Sequence, residues 1–430
     1  MRIGIFTNAY KPEISGVVNS IGVFRNELVR QGHAVYIFAP EAPDYEDEEY
    51  GIFRYPALKL PVSVNFPLAI PVSPFVDWVV PRLKLDILHS HHPILLGEEA
   101  INFAKQLNLP HVFTHHTQYE EYSHYIPFNQ NIVKTLTREM VRAFLNRCVR
   151  IIAPTESIRA QLQSQYPEVA ERLRVLPSPI NLEDFAPEKL KPAPIRQKYG
   201  LEGTFTFVSV ARLTPEKSFD VLLKAFARVA ASHAEARLLL VGDGPSKKEL
   251  LKLCRQLAIA DRVFFAGLVE YGGVPHYLAA ADAFAFASTT ETQGLVMVEG
   301  MAAGLPVVAV DAPGNRDVIR HGENGLLTEN SVEALAAGMQ QVLEEEPLHR
   351  KLREGARKTA AEYAAPPLTR RLVGIYEEAI DHYARQPLDY KRFSREPEQS
   401  RQFPPRWLVE ITGKTEWFDS LVSFWQKLGS

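Results

Sequence analysis

Residues 284–310 read FAFASTTETQGLVMVEGMAAGLPVVAV, and this stretch decides the fold. The apolar run Phe284–Ala287 predicts a buried strand that ends in a polar loop. Leu295–Met301 is an apolar helical segment that Gly304 stops, and Leu305–Val310 predicts another buried strand. A strand, a helix and a second apolar strand in this order are typical of an α/β fold with a parallel sheet.

Two glutamates mark this unit as a candidate ligand site. Glu291 lies in the loop before the predicted helix, and Glu299 lies about two turns into it. The free N–H groups near Gly294 and Leu295 at the helix start favour an anion. A carboxylate beside an anion site fits a ligand with both an anionic part and several hydroxyls, such as a sugar nucleotide. The alternative is an ordinary loop–helix–strand unit with two solvated glutamates.

Length and composition exclude several classes of protein. A chain of 430 residues fits two domains of about 200 residues each better than one core. Lys and Arg total 48 and Asp and Glu total 51, so the net charge of −3 gives no argument for nucleic acid. The two cysteines, Cys148 and Cys254, form no disulfide framework, which fits a reducing, cytoplasmic interior.

Nothing in the sequence predicts a segment that enters a membrane. The first residues, MRIGIFTNAY, lack the long apolar core of a signal peptide and predict a strand. No run of about 18 apolar residues occurs, so we expect no membrane span. Attachment to a membrane surface stays open.

The chain begins as a βαβ unit of a doubly wound sheet. Arg2–Thr7 and His33–Ala39 predict strands, and Asn19–Gln31 between them predicts an amphipathic helix. Gly16 and Val17 lie in the loop before this helix, where a phosphate would approach the backbone; the alternative is a plain turn. The loop is not G-x-G-x-x-G, so we do not expect a nicotinamide dinucleotide.

Polar and aromatic residues crowd the end of a later strand. Asp86–His89 and His111–Thr114 predict strands on either side of a helix at Gly97–Leu107. The second strand runs into HHTQYEEYSHYI, residues 115–126. Doubly wound sheets bind ligands at such carboxyl ends, so His116 is a candidate ligand contact. A structural histidine is the alternative.

Two segments of this half are candidate surfaces for a membrane, one rich in proline and large apolar residues and the other basic. Pro56–Leu85 holds six prolines, which argue against a regular buried helix, and we expect it to be packed in part and exposed in part. The large apolar residues concerned are Phe66, Leu68, Phe75 and Trp78. Asn129–Val149 predicts a long helix with a basic row of Lys134, Arg138 and Arg142 on one face. That row is either a solvated face or a surface for anionic lipid.

The second half repeats the α/β pattern with glycines after its strands. The polar turn Arg212–Ser218 follows the strand Phe205–Val210, and Gly242-Asp243-Gly244-Pro245 and Gly267-Leu268-Val269 follow the next two strands. The ligand crevice of this half should therefore lie at these carboxyl ends. Arg212 and Lys217 are cations beside it; the alternative is a surface turn.

These residues together identify a family. The sequence resembles the retaining glycosyltransferases of family 4 over roughly residues 1–385. The most specific parts are Arg212-x4-Lys217, Gly242-Asp243-Gly244-Pro245, and Glu291-x7-Glu299 within ETQGLVMVEGMAAGLPVV. Within the family, the segments KPEISGVVNSI and HTQYEEYSHYI look like the bacterial diacylglycerol glucosyltransferases, which make α-monoglucosyldiacylglycerol from a UDP-sugar.

The resemblance implies the GT-B fold, two Rossmann-like domains with a cleft between them and a C-terminal helix that returns to the first domain. We expect an acceptor-binding domain at 1–180, a sugar-nucleotide-binding domain at 181–365, the returning helix at 366–386 and an extension at 387–430. The extension predicts a helix with one aromatic face, which packs either on the protein or on lipid. Its residues are Trp417, Leu421, Phe424, Trp425 and Leu428.

The resemblance also implies roles for the candidate residues. Arg212 and Lys217 would hold the donor diphosphate and stabilise the leaving UDP. Gly16 and Val17 would offer backbone N–H groups to the same phosphates, with Gly242, Asp243, Gly294 and Leu295 as further donor contacts. Glu291 would accept hydrogen bonds from the sugar hydroxyls and Glu299 from the ribose. Uracil would lie near Leu268 and Val269, and His116 would contact the donor sugar.

The expected reaction transfers a hexosyl group, glucose or galactose, to the hydroxyl of diacylglycerol with retention at the anomeric carbon. Retention suggests a nucleophilic carboxylate, but none is evident, so we expect a front-face path in which the leaving phosphate accepts the acceptor's proton. No D-x-D motif stands where a metal would bridge a diphosphate, so we expect no metal or other cofactor. The expected location is the inner face of the cell membrane. The alternatives are a soluble or other lipid acceptor, or a sugar-nucleotide-binding protein such as an epimerase.

Overall fold

The computed structural model describes residues 1–59, 67–119 and 130–388, and they form two compact units. The first unit comprises the described residues within Met1–Pro154 and Arg159–Leu176, together with residues 369–388. The second comprises Thr155–Ile158 and Pro177–Leu368.

The first unit is built on a parallel sheet of seven strands in the order β3-β2-β1-β6-β7-β8-β9. Strands β4 and β5 form a separate antiparallel pair. The strands are β1 (Arg2–Phe6), β2 (Ala34–Pro40), β3 (Ile52–Tyr55), β4 (Ala57–Lys59), β5 (Pro67–Ala69), β6 (Ile87–Ser90), β7 (His111–Thr114), β8 (Arg150–Ala153) and β9 (Leu173–Val175). The helices are α1 (Gly16–Arg30), α2 (Pro74–Val79), α3 (Leu96–Leu107), α4 (Gln130–Leu145) and α5 (Glu156–Gln165), whose first residues belong to the second unit.

The second unit is built on a parallel sheet of six strands in the order β12-β11-β10-β13-β14-β15. The strands are β10 (Phe205–Val210), β11 (Ala236–Val241), β12 (Val263–Gly267), β13 (Ala283–Phe286), β14 (Val307–Val310) and β15 (Gly325–Thr328). The helices are α6 (Pro192–Tyr199), α7 (Phe219–Ser232), α8 (Lys247–Gln256), α9 (Val274–Ala279), α10 (Leu295–Ala302), α11 (Asn315–Val318), α12 (Val332–Glu344) and α13 (Glu346–Glu362). The inner strands β13 and β14 are buried along their whole length, which explains their continuous apolar sequences, whereas the edge strand β12 is mostly half-buried.

The last described helix, α14 (Ala365–Arg385), belongs to the first unit from Thr369 onward. There the Glu378 carboxylate accepts hydrogen bonds from the guanidinium of Arg174, 2.9 Å from its Nε, and pairs with Arg150 at 3.1 Å. The Tyr383 hydroxyl donates to the Asn108 side chain at 3.1 Å. The predicted return of a C-terminal helix to the first domain is therefore confirmed.

Most elements lie within a few residues of their predicted positions, and the departures have local causes. Helix α1 begins at Gly16, not at Asn19, because the Ser15 hydroxyl caps it by accepting from the Val18 amide. The proline-rich segment contains α2, which tolerates Pro74 because a first-turn residue needs no amide hydrogen. Glu299 lies little more than one turn into α10, not about two, because it is only four residues beyond Leu295, where the helix begins as predicted, and one turn takes 3.6 residues.

Several predictions fall outside the described residues. These are the exposure of Phe66, the end of the polar run at residues 120–126, and the aromatic helix with Trp417 and Trp425. Within the described ranges, no helix is long and apolar enough to cross a bilayer.

Two histidines are buried inside the first sheet. In β6, His89 bonds through Nδ1 to the Tyr376 hydroxyl and through Nε2 to the Thr114 hydroxyl, each at 2.7 Å. In β7, His111 bonds through Nε2 to the Ser90 hydroxyl at 2.8 Å. Burial lowers the pKa of both imidazoles to about 3, so both are neutral at pH 7.

This burial predicts a loss of stability in mild acid. The unfolded chain takes up a proton on each histidine as pH falls below 6.5, whereas the folded chain does so only near pH 3. The stabilisation is complete above pH 6.5 and lost as pH falls toward 3, by about 1.4 kcal/mol per pH unit for each histidine. We expect His111→Gln, which keeps an amide near Ser90, to lose about 1.4 kcal/mol less between pH 7.5 and 5.5 than the original. Urea unfolding at both pH values measures this, and an identical loss in the two proteins would contradict it.

Two helical glycines give a matched test of packing. A Cβ on Gly97, in the first turn of α3, would stand 1.8 Å from the carbonyl oxygen of His92, whereas a Cβ on Gly374 in α14 would meet nothing within 4 Å. We expect Gly97→Ala to destabilise the protein by about 1–3 kcal/mol, because backbone must move. Gly374→Ala should stabilise it by about 0.5–1 kcal/mol, because alanine is the better helix former. Thermal unfolding midpoints that move in the same direction for both would contradict this packing.

Candidate functional site

The loops after β10 and β11 pack against each other through backbone alone. The Ala211 amide donates to the Val241 carbonyl at 3.1 Å, and the Leu213 amide donates to the Asp243 carbonyl at 3.0 Å. Gly242 has φ +138°, and a Cβ there would lie 2.0 Å from the Ala211 oxygen. Only glycine therefore allows the segment with Arg212 to lie against Gly242 and Asp243, two of the predicted donor contacts.

Asp243 faces the start of α8. One of its carboxylate oxygens accepts from the Gly244 amide at 2.8 Å, and the other accepts from Lys247 Nζ at 2.6 Å. The hydrogen bond from Lys247 is the main cause that lowers the pKa of this carboxyl. The carboxylate of Asp243 is thus bonded to the start of its own helix, while its backbone carbonyl is bonded to the loop after β10.

The loop after β12 joins the same edge. The Gly242 amide donates to the Gly267 carbonyl at 2.9 Å, which brings Leu268 and Val269 beside the Gly242 turn. The Leu268 side chain is 71% exposed although it is large and apolar. This is a suitable position for a residue that packs on a planar base.

Lys217 and Glu291 are brought together from different strands. Lys217 ends a short 3₁₀ turn after β10, and Glu291 lies in the loop between β13 and α10. Lys217 Nζ donates to Glu291 Oε1 at 2.6 Å, and the two side chains are only 19% and 14% exposed. Arg212, on the same loop as Lys217, is partly buried. A cation and a carboxylate predicted to bind two parts of one ligand are therefore adjacent.

Backbone contacts and buried amide side chains of the second unit hold the loop that carries Glu291. A Cβ on Gly314 would lie 2.6 Å from the Glu291 carbonyl oxygen, so these two loops also touch through backbone. Gln293 is buried and bonds the Ser178 backbone twice, accepting from its amide at 2.7 Å and donating to its carbonyl at 3.1 Å. The buried Asn315 amide donates to the carbonyls of Ser288 and Val310, each at 2.9 Å.

These contacts fix the start of α10. Gly294 occupies the N-cap position with φ +67° and ψ +50°, and Leu295 is the first helical residue. The amides of the first turn of an α-helix lack intrahelical partners and favour an anion. Glu299, one turn further, is buried with 5% of its surface exposed.

In the first unit, the start of α1 is open. Ser15 caps the helix, and Gly16 and Val17 are its first two residues. A Cβ on Gly16 would meet nothing within 4 Å, so neither packing nor an unusual φ of this unit requires glycine there. The position leaves room for a ligand oxygen close to the backbone.

A group of histidines occupies the carboxyl ends of β6 and β7, which are neighbours in the sheet. His91 Nδ1 and His116 Nε2 are 2.8 Å apart, and the rings stack with their centroids 5.0 Å apart. His92 Nδ1 accepts from the Asn8 amide at 3.1 Å, while the Asn8 side chain bonds Leu96 and Ile94 of the same loop. Burial lowers the pKa of His91 and His116 well below its usual range and that of His92 and His115 to about 4.

At pH 7 these four imidazoles are therefore neutral. A neutral imidazole both donates and accepts a hydrogen bond, which suits hydroxyl groups better than phosphate. In the part of the chain that the structure describes, no group of three or more His, Cys, Asp or Glu side chains is arranged to hold a metal ion.

Sequence reasoning missed His91, His92, Gln293 and Asn315. The histidines left a signal in the pair His91-His92, which follows one strand as His115-His116 follows the next. Adjacent parallel strands bring such runs to one edge, so the pairing with His116 was open to prediction. Gln293 and Asn315 gave no signal, because their partners are backbone groups distant in sequence.

Comparison with known proteins agrees with this geometry. The family model described as Glycosyltransferase Family 4 matches residues 14–184, and the one described as Glycosyl transferases group 1 matches residues 193–359. The chain is 36% identical to an α-monoglucosyldiacylglycerol synthase of Streptococcus pneumoniae over 73% of this chain and 72% of that protein. It is 30% identical to one of Acholeplasma laidlawii over 89% of this chain and 98% of that protein.

Two more distant likenesses complete the comparison. A GDP-mannose-dependent α-mannosyltransferase of Corynebacterium glutamicum is 28% identical over 80% of this chain and 81% of that protein. The solved structure of a sucrose-phosphate synthase from Thermosynechococcus elongatus superposes with a TM-score of 0.73 at 20% identity, over 88% of this chain and 99% of that one. This chain therefore belongs to glycosyltransferase family 4 and has the family's GT-B fold of two Rossmann-like domains.

Proposed function

We propose that this glycosyltransferase moves a glucosyl group from UDP-glucose to the hydroxyl of diacylglycerol and so makes α-monoglucosyldiacylglycerol at a membrane surface. The observation that carries the proposal is the identity of 36% and 30% with two α-monoglucosyldiacylglycerol synthases, one of them matched over 98% of its length. The strand-end loops of the second unit support it, because they combine cations, helix amides and carboxylates.

The cations of this site suit a diphosphate. Arg212 and Lys217 lie on one loop, and Lys217 is held by Glu291 at 2.6 Å. A held cation stabilises the charge that develops on a leaving phosphate without having to reorganise first. We assign these two residues to the diphosphate, together with the backbone amides near Gly242, Gly294 and Leu295.

The remaining roles follow the chemistry of each position. A carboxylate accepts hydrogen bonds, which suits Glu291 to sugar hydroxyls and Glu299 to the ribose. Leu268 and Val269 suit the uracil ring. In the first unit, His116 suits a sugar hydroxyl because it is neutral, and the amides of Gly16 and Val17 suit phosphate oxygens.

The proposed reaction retains the configuration of the anomeric carbon. The bond from the anomeric carbon to the UDP oxygen breaks, and the bond to the glycerol oxygen forms on the same face. The proton of the acceptor hydroxyl passes to the leaving phosphate oxygen. The residues of this chain then act by holding the phosphate and the sugar.

One observation supports GDP-mannose as an alternative sugar donor. The relative from Corynebacterium glutamicum is named for GDP-mannose, and it matches most of this chain. The second candidate is therefore mannosyl transfer from GDP-mannose to a lipid acceptor.

One assay separates the candidates. The purified protein is incubated with labelled UDP-glucose, UDP-galactose or GDP-mannose, each with and without diacylglycerol vesicles, and the lipid product is identified. We expect a glucosyl lipid from UDP-glucose only, in amounts that depend on diacylglycerol. A mannosyl lipid from GDP-mannose would replace the proposal with the second candidate. A repeat in excess chelator tests the expectation that Arg212 and Lys217 supply the needed charge; lost activity that magnesium restores would overturn that expectation.

The proposed acceptor is a membrane lipid, and α2 offers a surface for it. Val72, Phe75 and Trp78 are 53%, 59% and 55% exposed. The Phe75 and Trp78 rings stack with their centroids 6.4 Å apart, and the Arg82 guanidinium lies 4.3 Å above the Trp78 ring. An exposed aromatic pair with a cation beside it suits the interface of an anionic bilayer, where rings enter the apolar layer and cations stay near phosphates. We call these four residues the α2 surface.

The basic row on α4 contributes less than its sequence suggests. Arg142 binds Glu139 at 2.7 Å and Glu168 at 3.2 Å, so its charge is largely compensated within the protein. Lys134 and Arg138 are exposed. Each basic residue contributes about 1 kcal/mol to the free energy of binding to an anionic membrane, so these two support binding but do not account for stable attachment.

Lys217 gives a test of the phosphate site. We expect Lys217→Ala to lower kcat by about 10²–10³, as removal of one charge-stabilising donor does. The fold should survive, because Lys217 lies in a short turn. Lys224→Ala is the control, since Lys224 forms an exposed pair with Asp220 on the neighbouring α7. Near-normal kcat in a folded Lys217→Ala protein would remove Lys217 from the mechanism.

The α2 surface gives a test of membrane binding. We expect Phe75→Ser with Trp78→Ser to weaken binding to diacylglycerol-containing vesicles about 10- to 100-fold, because two rings no longer enter the bilayer. Lys134→Glu with Arg138→Glu should weaken binding only to anionic vesicles, and less so in high salt. Tyr50→Ser is the control, because Tyr50 is an exposed aromatic outside this surface. Vesicle sedimentation measures binding, and unchanged binding of the Phe75/Trp78 variant would contradict the assignment.

A further inference from the structure

Gln293, in the loop between β13 and α10, binds the backbone of a single distant residue through both ends of its side-chain amide. Its Oε1 accepts from the Ser178 amide at 2.7 Å, and its Nε2 donates to the Ser178 carbonyl at 3.1 Å. Gln293 is only 4% exposed, so both bonds are shielded from water. A side-chain amide suits this place because it carries an acceptor and a donor next to each other.

The residue that Gln293 binds is itself fixed in the second unit. Two positions after Ser178, the Ile180 amide donates to the Tyr363 carbonyl at 2.9 Å, and the Ala365 amide donates to the Ile180 carbonyl at 3.2 Å. Ser178 thus lies next to two backbone hydrogen bonds. Gln293 therefore joins its loop to an anchored segment of the same unit.

The two residues before Gln293 are held as well, by other parts of the second unit. The Thr292 carbonyl accepts from the Thr155 hydroxyl at 3.0 Å. The Glu291 carbonyl lies against Gly314, where a Cβ would stand 2.6 Å from its oxygen. The loop is therefore held at three successive residues, and the last of these contacts is made by a side chain of the loop itself.

The Glu291 side chain is the part of this loop whose position matters for the candidate site. Its Oε1 accepts from Lys217 Nζ at 2.6 Å, a contact between the loops that follow β13 and β10. The length of such a bond is confined to a narrow range, so a shift of either loop would break it. Gln293 is two residues from Glu291, and loss of its bonds to Ser178 would release the loop on that side.

We infer that Gln293 is a positioning residue, which sets the Glu291 carboxylate against the Lys217 ammonium group by binding the backbone of Ser178. This placement does not depend on what the protein binds. Its use, which is to keep a cation at the donor diphosphate and a carboxylate at the sugar, rests on the proposed function.

The placement is tested without any ligand. The protein is treated briefly with an amine-reactive label, and peptide mass spectrometry gives the labelling rate of Lys217 relative to that of Lys224, an exposed lysine on α7. Gln293→Met keeps the length of the side chain but has no amide. We expect the relative rate to rise roughly 10-fold in this variant, as loss of a hydrogen bond between charged groups implies. An unchanged relative rate in the folded variant would overturn the inference.

Another buried amide of the second unit gives a matched control. Asn324 accepts from the Arg320 amide at 2.8 Å and donates to the Val318 carbonyl at 3.0 Å, but it precedes β15 and so lies at the amino ends of the strands. We expect Asn324→Leu to lower the thermal unfolding midpoint, as Gln293→Met does, and to leave the relative labelling of Lys217 unchanged. A rise in both variants would mean that any loss of stability exposes Lys217, which would overturn the inference.

Gln293→Glu tests the inference by rescue, and it serves also if Gln293→Met does not fold. A protonated carboxyl group accepts and donates as the amide does, whereas an ionised carboxylate only accepts and would face the Ser178 carbonyl. Burial should raise the pKa of the introduced carboxyl above its usual value of about 4.3. We expect kcat of this variant, relative to the original, to fall on the order of 10-fold between about pH 5 and pH 8.5. A ratio that does not fall with rising pH would contradict the inference.

Kinetics test the consequence for catalysis. We expect Gln293→Met to lower kcat on the order of 10- to 100-fold with little change in KM, as a small misplacement of a catalytic group does. In a Glu291→Ala background the same substitution should lower kcat far less, because the group that Gln293 positions is already absent. Equal losses in the two backgrounds would show that Gln293 does not act through Glu291.

The two failures are distinguishable. Faster labelling of Lys217 in Gln293→Met, together with no glucosyl transfer in the original protein, would refute the proposed function and leave the positioning intact. Glucosyl transfer in the original protein, together with unchanged labelling in the variant, would refute the positioning and leave the proposed function intact.

Discussion

The close approach of backbone at the carboxyl ends of the strands is the constraint on which the candidate site depends. Gly242 lies against the Ala211 carbonyl and Gly314 lies against the Glu291 carbonyl, where a Cβ would stand 2.0 and 2.6 Å from oxygen. Because these loops touch through their backbones, how closely they approach each other depends on the glycines and not on the other side chains that they carry. Lys217 then reaches Glu291 from the loop that follows a neighbouring strand.

At the carboxyl ends of the strands in the first unit, the important property is that the histidine side chains are uncharged. These histidines lie side by side, and burial lowers their pKa values below the usual range; the charge that a protonated neighbour would carry lowers them further. Such a group cannot bind phosphate by charge. It can order hydroxyls, because each neutral ring has one donor and one acceptor whose positions its neighbours decide. The Asn8 amide decides this for His92, because it donates to Nδ1 and so leaves the ring hydrogen on Nε2.

The sequence predicted the fold well because the decisive signals are local. Apolar runs, glycines after strands and the motif around Glu291 predicted two parallel α/β units, and the family resemblance added the returning helix. Strand β3 and the short helix α2 were not predicted, because half-buried residues and prolines hide their pattern. For the site, residue types and spacing pointed to Lys217 and Glu291. That these two form one ion pair was not visible, because 74 positions separate them.

The Lys217–Glu291 pair links two roles that the sequence alone presents as separate, namely the proposed binding of the diphosphate by Lys217 and of the sugar hydroxyls by Glu291. An ammonium group has three donors and a carboxylate about four acceptor positions, so one mutual bond exhausts neither. Glu291 holds the Lys217 ammonium group through one carboxylate oxygen, 2.6 Å away, in a place where both side chains are largely buried. A ligand with both a diphosphate and a sugar would engage both partners at once. Recognition of the sugar would then be coupled to stabilisation of the leaving phosphate, since the group that we propose binds the hydroxyls also holds the cation.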